Sequence, residues 1–238
     1  SVLREINTKA NNIYVKGLYF SSSSGKGNVQ RNKVYDLTIA SSGTSPQIFG
    51  IEGGGSFTIP GWTYSNNMIS LTNGPNTNPV SILGIYDRGF STILISNYYF
   101  NSVNIGGSSS GGSLGSFAFY RDGITTNTHR NNIYTNTRTG GTATHYSIFL
   151  NSATPASGWS ASASDYNVLN SLGTIIGYWG TIDVDFAGWK SNSLGDNNSL
   201  SGIPLNFVNA ETGDLHLLAG SNCGLDGYGT PVVSYTTD

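Results

Sequence analysis

Tyr99-Phe100-Asn101-Ser102-Val103-Asn104-Ile105-Gly106-Gly107 is the stretch whose reading decides the fold. An Asn stands just ahead of a β-branched apolar position, polar and apolar residues then alternate, and paired glycines close the run. That is the pattern of a brief strand bounded by turns. The same unit recurs at Asn11-Asn12-Ile13, Asn32-Lys33-Val34, Asn66-Asn67-Met68, Asn131-Asn132-Ile133 and Tyr166-Asn167-Val168. Taking Ile13, Val34, Met68, Val103, Ile133 and Val168 as inward anchors, the spacings are 21, 34, 35, 30 and 35 residues. Self-similarity at such a period marks a solenoid.

A second register supports the repeat. Ile48-Phe49-Gly50-Ile51, Ile82-Leu83-Gly84-Ile85 and Phe117-Ala118-Phe119-Tyr120 each begin 14 residues after an anchor, and Tyr146-Ser147-Ile148-Phe149 begins 13 after one. A third run, Phe57-Thr58-Ile59 and Thr92-Ile93-Leu94-Ile95, puts Ile59 and Ile93 25 residues past theirs. Three short strands per coil follow, separated by Gly, Ser and Asn. Stacked coils would pair strand on strand at about 4.8 Å and bury ladders of Ile, Val, Leu, Met and Phe. Asn suits a corner that needs a left-handed backbone, and stacked amides can hydrogen-bond along the axis. An antiparallel sandwich has no reason to keep a common offset of 14. The expected architecture is all-β, a parallel solenoid of about six coils of 21–35 residues. It forms one module over 1–238, regular over 1–180 and irregular over 181–238.

Composition narrows the function classes. The 238 residues carry 11 Lys and Arg against 13 Asp and Glu, a net charge of −2, with no basic cluster to serve nucleic acid or an acidic membrane. No apolar run approaches the roughly 20 residues of a membrane-spanning helix. Roughly a third of the chain is Ser, Thr or Asn, which disfavours helices. A single Cys223 permits no internal disulfide, so rigidity must come from elsewhere, which fits bacterial secretion better than the eukaryotic route.

Several stretches carry a resemblance: the one opening this section, Arg130-Asn131-Asn132-Ile133-Tyr134, Asp165-Tyr166-Asn167-Val168-Leu169, and Gly213-Asp214-Leu215-His216-Leu217. The chain resembles right-handed parallel β-helix repeat proteins, especially secreted or cell-surface proteins of Bacteroidetes. The resemblance implies a right-handed solenoid, export (in many members by the type IX route) and a location outside the cell. It also implies that Cys223 to Asp238 opens a closing segment, and that the chain is a fragment of a longer one.

Candidate chemistry is sparse. Asp183 and Asp185 share a face if their segment is extended, and could form a carboxylate pair or ligate Ca²⁺. The plainer expectation is that Asp183 opens a turn or short helix around Phe186-Ala187-Gly188-Trp189, with Trp189 packed on the solenoid end. His129, Arg130, Arg138 and His145 cluster in sequence and could converge at a polar site, with His129 and His145 as catalytic candidates, though no partner acid sits among them. Their structural reading has Arg130 pairing to a neighbouring coil and His145 bonding the loop 139–144. His216, between Leu215 and Leu217, is expected to face outward. The loop 106–115 lacks the ending of a phosphate loop. Gly195-Asp196-Asn197-Asn198-Ser199 offers one carboxylate, too few for Ca²⁺, and an acceptor triplet for glycosylation at Asn197. The acid motifs of polygalacturonases and the Ca²⁺ clusters of pectate lyases are absent.

Aromatic residues are the better clue, since exposed rings stack on sugar faces. Tyr14, Tyr35, Trp62 and Tyr134 are the candidate ligand-binding residues, and a continuous aromatic strip would strengthen that reading. The expected function is therefore a non-catalytic extracellular module, a rigid spacer or adhesin contacting polysaccharide or a cell-surface protein. It needs no cofactor, Ca²⁺ being a lesser option, and the secretion machinery is an implied partner. The alternative is a carbohydrate-active enzyme, a lyase or glycosidase with its acids in a lateral groove.

Overall fold

A computed structural model describes residues 4–5, 12–22, 27–55, 61–74 and 76–232. The chain is all-β, with its parallel sheets stacked as a β-solenoid of about four turns rather than six coils. Each coil contributes three strands to three faces. The first face stacks Gly27–Gln30, Trp62–Ser65, Ile95–Tyr99, Thr126–Arg130 and Ser164–Asp165. The second stacks Lys33–Tyr35, Met68–Leu71, Ser102–Ile105, Ile133–Asn136 and Val168–Ser171. The third stacks Tyr14–Ser22, Gln47–Gly55, Ser81–Asp87, Ser116–Asp122, His145–Asn151 and Ile175–Trp179.

The corner between the first and second faces explains the sequence repeat. Asn32, Asn67, Asn101, Asn132 and Asn167 stack in one column, 35, 34, 31 and 35 residues apart. Each Oδ1 of the next coil accepts both the backbone N–H and the Nδ2 of the coil before, at 2.8–3.2 Å. From Asn67 onward the second Nδ2 hydrogen goes to a backbone carbonyl one coil back: Val29 for Asn67, Tyr64 for Asn101 and Tyr98 for Asn132. The axial amide ladder is therefore present. The left-handed residue, however, is the one before each ladder Asn: Arg31, Asn66, Phe100, Asn131 and Tyr166, with φ of 53–57°. The ladder Asn serves through its side chain.

Strand register corrects the anchors. Val34, Ile69, Val103, Tyr134 and Leu169 form the inward column of the second face. Met68, Ile133 and Val168 align instead with Lys33 and Ser102, on the outward column one residue away. Ile13 leads into a third-face strand, so its 21-residue spacing to Val34 is not a coil. In a strand a one-residue slip exchanges the faces.

The third register is also displaced. Thr92 and Ile93 lie in a turn with Ile93 62% exposed, and the strand begins at Ile95, directly ahead of the Asn corner. Phe57-Thr58-Ile59, Asn11 and residues 233–238 lie outside the described residues.

The interior is built by complementary columns. Gly50 and Gly84 on the third face leave no room for a Cβ, which would sit 2.5 Å from Ile69 Cγ2 and 2.4 Å from Val103 Cγ1 respectively. The branched second-face column fills that space. Inside the first face the column is aromatic: Tyr64 stacks on Tyr98 at 5.0 Å and Tyr98 on His129 at 4.8 Å. Past the last full coil, Trp159, Trp179 and Trp189 meet edge to face at 5.4–5.9 Å and fill the interior.

The Asn column ends on Asp196, whose Oδ1 accepts from Asn167 Nδ2 (3.1 Å), Ser164 Oγ and Ser199 Oγ, while its Oδ2 accepts from Trp189 Nε1 (2.8 Å). A carboxylate only accepts, so it terminates a chain of donors. From there residues 201–232 fold back over the outside of the second face. Gly202 and Ile203 bond Asn170, Gly213 lies against the Tyr35 ring, and Thr230 exchanges two hydrogen bonds with Asn131.

Candidate functional site

The outward side of the third face carries two neighbouring columns of side chains. One runs Phe49, Leu83, Phe117, Tyr146. The other runs Tyr19, Glu52, Tyr86, Tyr120, Phe149, Tyr178. Aromatic residues dominate both because a parallel stack brings equivalent rings within contact at every coil. Ring contacts are continuous from Tyr14 to Tyr178. Tyr14 meets Phe49 at 6.4 Å, Phe49 meets Tyr86 at 5.4 Å, and Tyr86 meets Tyr120 at 5.3 Å. Tyr120 stacks on Phe149 at 4.8 Å, and Phe149 on Tyr178 at 4.4 Å. Phe117 and Tyr146 run beside them, 5.8 Å apart and nearly parallel. None of these rings belongs to the interior core cluster.

Polar groups border the strip. Tyr86 Oη donates to Asp122 Oδ2 at 2.8 Å, and Asn151 Nδ2 donates to Oδ1 of the same carboxylate. Tyr146 Oη donates to Asp183 Oδ1 at 2.8 Å, and burial lifts this phenol to about 12. Burial also raises Tyr86 and Tyr120. The phenols are therefore neutral donors at any ordinary pH. At the Tyr19 end, Glu52 is buried with Lys16 at 2.6 Å and Arg88 at 4.0 Å, while the Lys16 ammonium sits 4.2 Å over the Tyr19 ring.

The residues singled out from the sequence fall in different places. Tyr14 is exposed on the strip. Trp62 lies off the strip, packed on Phe20 at 5.3 Å, and Tyr35 lies on the second face under Gly213. Tyr134 is fully buried in the inward column and presents no ring to a ligand, a consequence of the one-residue slip at Ile133. Asp183 and Asp185 stand on the same exposed side of Ile182–Asp185, with Val184 buried between them. Asp183 holds Tyr146. Asp185, rather than Asp183, caps the helix Phe186–Ser193 by accepting from Gly188 N at 2.7 Å. Trp189 of that helix is buried on the solenoid end.

The two histidines are not brought together. His129 is sealed in the core between Tyr98 and Trp159, its Nδ1 3.1 Å from Tyr134 Oη, and burial drives its pKa far below the usual range. His145 bonds Gly140 O through Nε2 and Ser116 Oγ through Nδ1. The Gly140 contact requires the proton on Nε2. Burial lowers this ring too. Arg130 reaches Ser162 O in the next coil, and His216 points outward as it pairs with Asp214 at 2.6 Å.

Among the described residues no group of three or more His, Cys, Asp and Glu could hold a metal, and no helix is long and apolar enough to cross a membrane. Two grooves of about 750 and 600 Å³ flank the folded-back segment on the second face, the larger edged by Arg31 and Lys33 over Met68 and Ile133. Of the strip members that the sequence reading missed, Phe49, Phe117, Tyr120, Tyr146 and Phe149 sit inside the second-register segments, and Tyr178 lies in a later strand outside them. Aligning those segments on their strand ends would have shown the column.

No protein-family model, no curated protein and no solved structure matches the chain.

Proposed function

We propose that the solenoid is a non-catalytic module, a rigid spacer or adhesin segment, whose third face contacts glycan. The observation that carries this reading is the aromatic strip, six strands long and bordered by hydrogen-bonding carboxylates. Rings held by their neighbours offer apolar surface at low entropic cost, and a column one strand apart repeats that surface along a polymer. The residues that would serve catalysis are occupied elsewhere: Asp185 caps a helix, Asp183 orients Tyr146, and His129 has no access to solvent. The likeness to exported β-helix proteins of Bacteroidetes supports a place outside the cell and type IX cargo status. Both stand on the quoted residues alone.

Retention on insoluble polysaccharides tests the reading. The native chain is retained, and Tyr120→Ala with Tyr178→Ala loses most of that retention. Release of reducing ends or unsaturated uronides, abolished in Asp183→Ala or Asp185→Ala, would replace this reading with a lyase or glycosidase.

A further inference from the structure

Each column of the strip has one rung without a ring, Glu52 in the second and Leu83 in the first. In the outer column Phe49, Leu83, Phe117, Tyr146, the second rung is Leu. A slot of about 220 Å³ opens there, with Phe49 and Phe117 to either side of Leu83 and with Tyr86, Tyr120 and Gln47 around it. Phe117 stacks on Tyr146 with its planes 6° apart, so one of its faces is taken. On the opposite side the strand register places the shorter Leu83 beside it.

Where rings stack on the strip, Tyr120 on Phe149 and Phe149 on Tyr178, they cover one another's faces. The slot over Leu83 is where the run of rings in that column is interrupted.

Its polar groups are available. The Gln47 amide and the Tyr120 hydroxyl have no hydrogen-bond partner among the described residues. The charge around the strip disfavours an anion. Lys16 and Arg88 both turn to Glu52, and Asp122 and Asp183 have no cation paired with them among the described residues.

We propose that the slot is a subsite for one ring of a neutral pyranose glycan. Its C–H face lies on Phe117, and its hydroxyls bond Gln47 and Tyr120. This rests on the strip being the glycan-contacting surface, and it adds the ligand class and the position.

The test is calorimetric titration of the 238-residue chain with neutral hexasaccharides of glucose, xylose and mannose and with hexagalacturonate. Leu83→Phe continues the aromatic column and fills the slot without emptying the core, and Gln47→Ala removes a polar contact at the surface. A neutral hexasaccharide binds. Leu83→Phe weakens it at least about tenfold with an unchanged melting temperature, and Gln47→Ala weakens it severalfold. Neutral binding that survives both variants would sink the subsite and leave the strip. Binding of hexagalacturonate alone would overturn neutrality while leaving a glycan module. No binding by any of the four overturns both.

Discussion

Asn101 spends every hydrogen-bonding group of its amide inside the protein. It donates to Asn132 Oδ1 and Tyr64 O and accepts twice from Asn67. Asn101→Ala strands those partners in a buried column, and a loss of about 4 kcal/mol in denaturant unfolding is expected, with the m-value unchanged. Asp196→Asn makes the complementary error. An amide N–H replaces an acceptor facing Trp189 Nε1–H, for a loss of about 2 kcal/mol by the same measurement.

His129 makes stability pH-dependent. The folded state keeps the imidazole neutral, so below about 6.5 the unfolded chain binds a proton that the folded chain does not. Stability is full above that pH and falls as pH drops through it. Asp87, buried and accepting from Tyr98, Thr125 and Asn127, has its pKa raised by that burial. Its effect runs the other way, weakening the fold as pH rises above the ordinary carboxylate value. Comparing native chain with His129→Phe isolates the first. The difference in unfolding free energy should change by up to about 1.4 kcal/mol per pH unit between pH 6.5 and 5. A constant difference would mean that the imidazole is protonated in place.

Among the elements, the corner is the most revealing. It forces a left-handed residue ahead of each ladder Asn, and only Asn66 and Asn131 are of a type suited to it. Arg31 occupies that position exposed, so Arg31→Asn should relieve backbone strain and raise stability by about 0.5–1 kcal/mol. The helix Phe186–Ser193 depends on its cap and its one buried ring. Asp185→Ala should cost about 1 kcal/mol and Trp189→Ala about 4 kcal/mol in thermal or denaturant unfolding. The larger loss reflects the hole left among Trp159, Trp179 and Asp196.

At the scale of the whole molecule, each coil touches mainly its two neighbours, so stability is a sum of coil and interface terms. Amide exchange on the 238-residue chain should find Ser102–Ile105 and Ser116–Asp122, paired on both sides, the slowest. Ile182–Asp185, which closes the third face antiparallel with one neighbour, should exchange sooner. The aromatic strip also belongs to this scale, because its members come from six strands and no single segment contains it.

The repeat of Asn and short β-runs sufficed to specify three strands per coil and parallel stacking, because a chemistry that must recur at every corner leaves a period in the sequence. The polar face of the ladder Asn and the strand character of the 48–51, 82–85, 117–120 and 146–149 runs were legible for that reason. The facing of each strand was not. An Asn corner fixes where a strand begins only to within a residue, and one residue decides whether Ile133 or Tyr134 enters the core. Tyr134 read as a ligand-binding ring and His129 as a catalytic candidate, yet with Tyr98 they pack inside because a stacked column can seat planar rings one strand apart. Burial, and with it the separation of core rings from strip rings, is set by register between residues more than 30 apart, which only the tertiary structure decides.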